Sequence, residues 1–282
     1  MITADDARYI RSAAYVPEHI VGLMTSVSRG EPFLTDDFLV FAGDTWAILV
    51  GYPLSGRFVL DDLRRIVAAT LQRHQPEYLW LIAPEVPPSL TPICCERESD
   101  RYYTLGLQGF TPRPELKRIV ARAAREVTVE RGRRVGSDHQ EAISEFLERD
   151  RPGPRIKKLF LSMADYSAAS ASAVVLTARR RGGGVSAFYV VDLEAEKFAT
   201  YVVGCHSKKH YVPGASDLLF AEMVSLARDQ GKAYIHLGLG VNEGIRRFKE
   251  KWGGAAYLSY EFCAHRQGRL GRILSLATRP WS

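Results

Sequence analysis

Two stretches of this chain gather side chains able to handle negative charge. The first is Gly231 to Gly254, GKAYIHLGLGVNEGIRRFKEKWGG. A helix stop at Gly231 precedes a short apolar strand over 233–239. A glycine-bearing turn then leads into a short basic helix with Arg246, Arg247, Phe248 and Lys249, closed by Trp252, Gly253 and Gly254. A strand end that delivers a cationic helix suits chemistry on an anionic group or on an oxygen that becomes anionic during reaction. The second stretch is Gly204 to Asp217, GCHSKKHYVPGASD. There Lys208, Lys209, His210, Tyr211 and Gly214 lie before a helix start, where phosphate is commonly held. A solvated basic loop reads equally well from the same residues.

Two further side chains could move a proton. His236, inside the strand YIHLGLG, can act as a base near neutral pH, and strand histidines also serve as hydrogen-bonded structural residues. Asp192, ending a strand beside Glu194, could take the proton an acceptor ammonium must lose before its nitrogen attacks a carbonyl. A polar strand end at a turn is the alternative. Phe248 and Trp252 are four residues apart on one helix face, the spacing of core anchors. Arg118, Arg122 and Arg125 stripe a helix whose opposite side is Leu116, Ile119, Val120 and Ala123, the pattern of an amphipathic surface helix.

Those residues need elements to hold them. Short helices are expected over 5–14 and 18–28. Apolar runs at 38–41 and 46–52 flank Gly43-Asp44, a strong hairpin signal. Helical periodicity marks 60–74, and strands are expected at 78–83 and 101–105. Pro112 and Pro114 announce a helix over 115–125, followed by a strand at 127–131 and a helix at 141–149 capped by Ser137 or Asp138. Arg151-Pro152-Gly153-Pro154 has the composition of a linker. A helical piece at 156–164 then precedes strands at 173–179, 186–193 and 198–204, a helix at 218–230, and strands at 233–239 and 257–263. Hairpin, helix, strand therefore occurs twice, the order expected of a duplicated α+β fold. The expected halves are 1–135 and 136–282, the second carrying the cleft.

With 282 residues, 46% apolar and 25% charged, the chain is long enough for one large or two ordinary globular domains. Its net charge of +6 fits partners bearing phosphate. Cys94, Cys95, Cys205 and Cys263 show no CxxC spacing, which predicts reduced thiols and a cytoplasmic protein. No HExxH spacing argues for a metal, and no Gly-x-Ser-x-Gly elbow or phosphate-binding loop motif supports a covalent serine intermediate or nucleotide hydrolysis. No window is apolar enough for a transmembrane segment, and no basic-then-apolar leader opens the chain.

On Arg247-Phe248-Lys249 and Trp252-Gly253-Gly254, the chain resembles the FemABX-like aminoacyl transferases and their DUF2156-like relatives with tandem GNAT-type folds. The resemblance is strongest over 115–262; the first hundred residues join by element order alone. It implies two GNAT-like halves, each a mixed, mostly antiparallel sheet flanked by helices. It further implies N-acyl or aminoacyl transfer to an amine by direct attack in a ternary complex. The donor is then acyl-CoA or aminoacyl-tRNA, used as co-substrate with no tightly bound cofactor. The acceptor is a small molecule, a peptidoglycan-type precursor or a lipid headgroup; tRNA is a candidate partner and DNA is not. Lys249 would offset charge on a phosphate or tetrahedral oxyanion, Phe248 would exclude water beside it, and Arg247 could reach a phosphate. His236 and Asp192 complete the catalytic candidates. The glycine signature that holds the CoA pyrophosphate in ordinary GNAT enzymes is missing, with Lys208, Lys209 and His210 in its place, which favours a non-standard donor. The same fold could instead serve as a non-catalytic module binding a nucleotide, phosphate or lipid headgroup.

Overall fold

A computed structural model describes residues 2–266, which fall into two compact units. Of the described residues, the first comprises those through Tyr102 together with 257–266, and the second runs Tyr103–Ala256. Position 135 and the Arg151–Pro154 stretch both lie inside the second unit.

The first unit opens with α1 (Ala4–Ala13), α2 (Val21–Ser28) and three strands, β1 (Glu31–Thr35), β2 (Phe38–Ala42) and β3 (Trp46–Val50). Thr3 caps α1 by accepting the Asp6 N–H at 3.1 Å while Asp6 returns a carboxylate to the Thr3 N–H. α3 (Leu60–His74) crosses over to β4 (Tyr78–Ala83), which pairs parallel with β3. β11 (Ala255–Arg266) pairs antiparallel with β4, and the first part of β5 (Cys94–Gly106) lies beside it. Leu63, Ile66 and Val67 of α3 recur at helical spacing and bury against Val40, Leu49 and Leu81 of the sheet.

Cys94 and Cys263 form a disulfide, so the expectation of four reduced thiols is corrected. Residues 169 apart in sequence become neighbours because β5 and β11 are adjacent strands, an adjacency that cysteine spacing cannot show. Two strands depart most from the sequence reading. β1 was not anticipated at all, and β5 begins at Cys94 because its first residues, CERESD, are polar and mostly exposed and carry no period-2 signal.

The second unit contains α4 (Pro114–Glu126), β6 (Val127–Gly132), α5 (Ser137–Asp150), α6 (Pro154–Leu161) and α7 (Met163–Ala169). Then come β7 (Ala173–Arg180), β8 (Val185–Asp192), β9 (Phe198–His206), α8 (Ala215–Asp229), β10 (Tyr234–Leu239) and α9 (Glu243–Lys251). Its strands are ordered β10-β9-β8-β7-β6, antiparallel except for β9 with β10. α5 starts at Ser137, earlier than expected, with the Gly136 N–H taken by His139 Nδ1 at 3.0 Å.

Strand alternation assigns the two faces of this sheet. Leu176, Ala178, Tyr189, Ala199, Ile235 and Leu237 join α8 and α4 in one core. The intervening residues face α5 and α7: Thr177 Oγ1 meets His139 Nε2 at 2.8 Å, and the Tyr166 hydroxyl donates to Asp192 at 2.6 Å. Each unit is thus a mixed, mostly antiparallel sheet with helices against it. The hairpin–helix–strand order of β2-β3-α3-β4 recurs as β8-β9-α8-β10.

Candidate functional site

The two parallel pairs that correspond in this duplication differ. β3 and β4 are hydrogen-bonded along the whole of β3, Trp46 to Val50 against Tyr78 to Ile82. β9 and β10 pair only from Phe198, Ala199 and Thr200 to Tyr234, Ile235 and His236, although β9 continues to His206 and β10 to Leu239. The pairing stops where β9 carries a bulge: Val190 faces Val203 while Val191 faces Tyr201. A bulge leaves one residue unmatched and turns the strand, a device that terminates pairing and re-aims side chains beside binding sites. Beyond it, in the second unit, Tyr201 to His206 of β9 and Leu237 to Leu239 of β10 are not paired with each other, an unpaired wedge. Its base carries Thr200, 1% exposed, whose hydroxyl oxygen has no hydrogen-bond partner among the described residues. The Tyr201 ring packs edge-on to Tyr189 with centroids 4.8 Å apart, and the Tyr189 hydroxyl donates to the Ser216 carbonyl at the start of α8.

The basic loop leaves the far end of β9. Glu145 of α5 holds it by accepting the Ser207 hydroxyl at 3.0 Å and the Lys208 N–H at 2.9 Å. Burial raises the Glu145 pKa, but those hydrogen bonds outweigh it and hold the carboxyl below its ordinary range. Lys208, Lys209 and Tyr211 are exposed, and the His210 ring lies over Gly184 of the β7–β8 turn. Gly214 precedes α8 at φ +83°, and a Cβ there would stand 2.7 Å from Ile119 Cγ2. Only glycine allows both that left-handed turn and the approach of α4 to the start of α8.

α9 follows β10 through the turn Gly240-Val241-Asn242, with the Asn242 side chain capping the Ile245 N–H at 2.9 Å. Phe248 and Trp252 are core anchors, packing on Phe220 with ring centroids 5.7 and 4.6 Å away. Asp217, in the first turn of α8, accepts from Trp252 Nε1 at 2.8 Å and from Lys251 Nζ at 2.5 Å, tying α8 to the end of α9. Lys249 is only 4% exposed. Its ammonium donates to the Leu239 carbonyl at the end of β10 and lies 5.8 Å from the centre of the Tyr103 ring. Gly254 makes room for this arrangement, since a Cβ there would be 2.8 Å from Leu237 Cδ1 and 2.9 Å from the Lys249 carbonyl oxygen. Arg247 is exposed and pairs with Glu243 one turn earlier.

The remaining candidates lie in one row of the sheet, Asp192 opposite Thr200 and Thr200 opposite His236. Their faces separate them from α9. His236 projects opposite to Ile235 and Leu237, whereas α9 packs through Phe248 and Trp252 with the core those two residues share. His236 is fully buried, and its Nδ1 accepts the Gly238 N–H at 3.2 Å, which makes it an unprotonated imidazole nitrogen. Asp192 accepts from Tyr166 at 2.6 Å, Ser172 at 2.6 Å and the Glu194 N–H at 2.8 Å. The row lies six β9 residues from His206, roughly 20 Å at about 3.3 Å per residue. The structure therefore gathers Lys208, Lys209, His210, Tyr211 and Gly214 on one loop and Arg247, Phe248 and Lys249 on one helix, with Asp192 and His236 in a separate row. Sequence reasoning missed Thr200, Glu145 and Asp217, whose placement depends on pairing and packing. A serine–aspartate pair beginning an amphipathic helix was the one visible signal, for Asp217.

No family model and no curated protein matches the sequence. Solved structures do match in shape. A DUF2156 domain from Agrobacterium fabrum superposes with a TM-score of 0.59 at 15% identity, covering 97% of this chain and 95% of that one. FemX does so with a TM-score of 0.64 at 10% identity over 99% and 98%. A tandem GNAT protein from the clavulanic acid biosynthesis pathway gives 0.55 at 12% identity over 93% and 94%. The repeated strand order and these full-length likenesses establish that the chain has the tandem GNAT-type fold seen in the FemX and DUF2156 structures.

Proposed function

We propose that this chain transfers an acyl or aminoacyl group to an amine, with the donor's carbonyl in the β9–β10 wedge of the second unit. The observation that carries this reading is the early end of β9–β10 pairing at a bulge, flanked by a cationic loop and by the helix bearing Lys249. In the reaction, the amine lone pair attacks the carbonyl carbon, its ammonium having first lost a proton. That first proton goes to solvent; the tetrahedral oxyanion then collapses, the bond to the donor's sulfur or oxygen breaks, and the leaving atom takes the proton given up by the newly bonded nitrogen. Holding both reactants in one site supplies most of the rate gain. Lys249 acts at the end of β10, fixing the Leu239 carbonyl and contributing positive charge where the oxyanion forms. Phe248 walls its surroundings, and Arg247 serves as a peripheral cation. Asp192 and His236 act as positioning residues beneath the wedge, each already engaged in hydrogen bonds.

Lys208, Lys209, His210 and Tyr211 receive the donor's phosphates, with Gly214 setting the loop's path into α8. Two observations favour side-chain over helix-terminus binding. Ile119 is packed against Gly214, and the first turn of α8 is taken up by the buried Asp217 carboxylate bound to Lys251 and Trp252. That favours aminoacyl-tRNA over acetyl-CoA. Exposed apolar side chains accompany the cations in each segment, Tyr211 at 57% after Lys209, and Val241 at 51% and Ile245 at 37% before Arg246, which favours a lipid-headgroup or peptidoglycan-type acceptor. A second reading, a non-catalytic phosphate-binding module, is favoured by the Lys249 ammonium already being bound to a carbonyl.

A thermal-shift panel with acetyl-CoA, longer acyl-CoAs, charged tRNA, a UDP-linked muropeptide and anionic-lipid vesicles, followed by a radiolabel transfer assay, tests both. Stabilisation by charged tRNA with transfer to an amine supports the proposal. Stabilisation by CoA species alone overturns the donor, and binding without transfer to any acceptor favours the second reading.

A further inference from the structure

The Cys94–Cys263 disulfide lies within the first unit. Both cysteines belong to the first unit, Cys94 at the start of the strand by which the chain leaves it and Cys263 on the strand by which it returns. Every residue of the second unit lies in the loop that the bond closes. The two sulfurs differ in access: Cys263 is 1% exposed within the apolar core containing Leu81, Val86 and Leu90, whereas Cys94 is half-buried at its margin. The other cysteines do not compete. Cys95 faces away from Cys94 by strand alternation and donates its thiol to the Ala264 carbonyl at 3.0 Å. Cys205 is buried in the second unit, its thiol pushed up to about 12 by burial.

We propose that Cys94–Cys263 is a reversible oxidative modification site, a clasp that low-molecular-weight thiols open and their disulfides close. This inference stands apart from the transferase reading. In opening, the thiolate of a small thiol attacks the accessible Cys94 Sγ and the Cys94–Cys263 bond breaks. Cys263 leaves as a thiolate and is protonated, since its apolar surroundings disfavour the anion. A second small thiolate attacks the mixed disulfide, releasing a symmetrical disulfide and the Cys94 thiol. Two thiols are oxidised and one protein disulfide is reduced. Closure is the reverse, with the small-molecule disulfide as oxidant. Closed, the clasp fixes β11 against β5; open, it leaves β11 held by its ladder and side chains alone.

The test incubates the full-length folded protein in graded ratios of reduced to oxidised glutathione, then quenches with an alkylating agent. Peptide mapping reads each cysteine, and a melting curve is recorded at each ratio. Cys94 and Cys263 should become alkylated together at one midpoint in native buffer. Tm should fall across the same midpoint by on the order of 10 °C. Cys95→Ser should leave the midpoint unchanged, and the double variant Cys94→Ser/Cys263→Ser should melt like the reduced protein at every ratio. Alkylation of the two residues at different ratios, opening only in denaturant, or an unchanged Tm after full reduction would each overturn the proposal. Because mapping uses the unaltered chain, the proposal stays testable even where the double variant fails to fold.

Discussion

Replacing Lys249 with methionine separates what its ammonium does for the fold from what it does for chemistry. The stem of Met fills similar space, so packing beside Tyr103 is largely kept. The ammonium's bond to the Leu239 carbonyl is lost, and hydrogen bonds to charged groups are worth about 1.5–3 kcal/mol. The cation over the Tyr103 ring adds roughly 0.5–2 kcal/mol. Allowing for methionine's own favourable burial, the variant should lose about 2–4 kcal/mol. That corresponds to a Tm lower by roughly 5–15 °C for a domain of this size. Urea denaturation with unchanged slope would show that stability alone has moved.

The chemical effect is larger than the structural one if Lys249 faces the oxyanion. Removing one such donor elsewhere costs about 100- to 1,000-fold in kcat. At a temperature where both proteins are fully folded, Lys249→Met should therefore lower kcat by that factor with KM little changed. A variant with full transfer activity would refute the catalytic role. A variant as stable as the parent would refute the burial argument behind it.

Gly214→Ala forces a left-handed φ and a Cβ 2.7 Å from Ile119, so Tm should drop, with about 2–4 kcal/mol lost in urea titration. The double change Lys208→Ala/Lys209→Ala should weaken binding of charged tRNA and flatten its salt dependence while leaving Tm unchanged, because both side chains are exposed; an unchanged salt slope would exclude the loop from the donor's phosphates. His19 is buried and burial lowers its pKa to about 4, with the Tyr52 carbonyl bond only partly opposing this. Its unfolded form takes a proton first, so its contribution is complete above about pH 6.5 and is lost as pH falls toward 4, some 3 kcal/mol in all. Glu18, raised by burial, titrates in the opposite sense, so the stability–pH curves of wild type and His19→Gln should be compared, and parallel curves would refute the assignment.

Much of this fold was legible because its elements are strongly periodic. Leu63, Ile66 and Val67 announce α3, and Leu219, Met223 and Val224 announce α8, each by one apolar face. The glycines around Trp252 and the proline before α4 marked boundaries for local steric reasons. What stayed hidden depends on which strands become neighbours. Cys94 and Cys263 are unremarkable in sequence and bonded in space, while Asp192 looked like a free strand-end carboxylate until Tyr166 and Ser172 folded onto it. The resemblance singled out Lys249 among the helix cations, but its burial, against the exposure of Arg247, appears only in the tertiary structure.

The duplication also shows where the two halves differ, and the proposed site falls at that difference. Both halves join a pair of parallel strands through a crossover helix, α3 between β3 and β4 and α8 between β9 and β10. In the first half the pair is closed along its length and Gly51 continues the contact, its N–H donating to the Ile82 carbonyl at 2.7 Å. Such a pair has no unspent backbone groups to offer a ligand. In the second half one extra residue on β9 ends the pairing after Thr200. The carbonyls and N–H groups beyond it must find other partners, and under the proposed function the amide groups of a peptide-like donor would supply them. Deleting Val202 to remove the bulge should let β9 and β10 zip further, raising amide exchange protection at Val203 to His206 and abolishing donor binding. Greater protection with donor binding intact would show that the wedge is not where the donor lies.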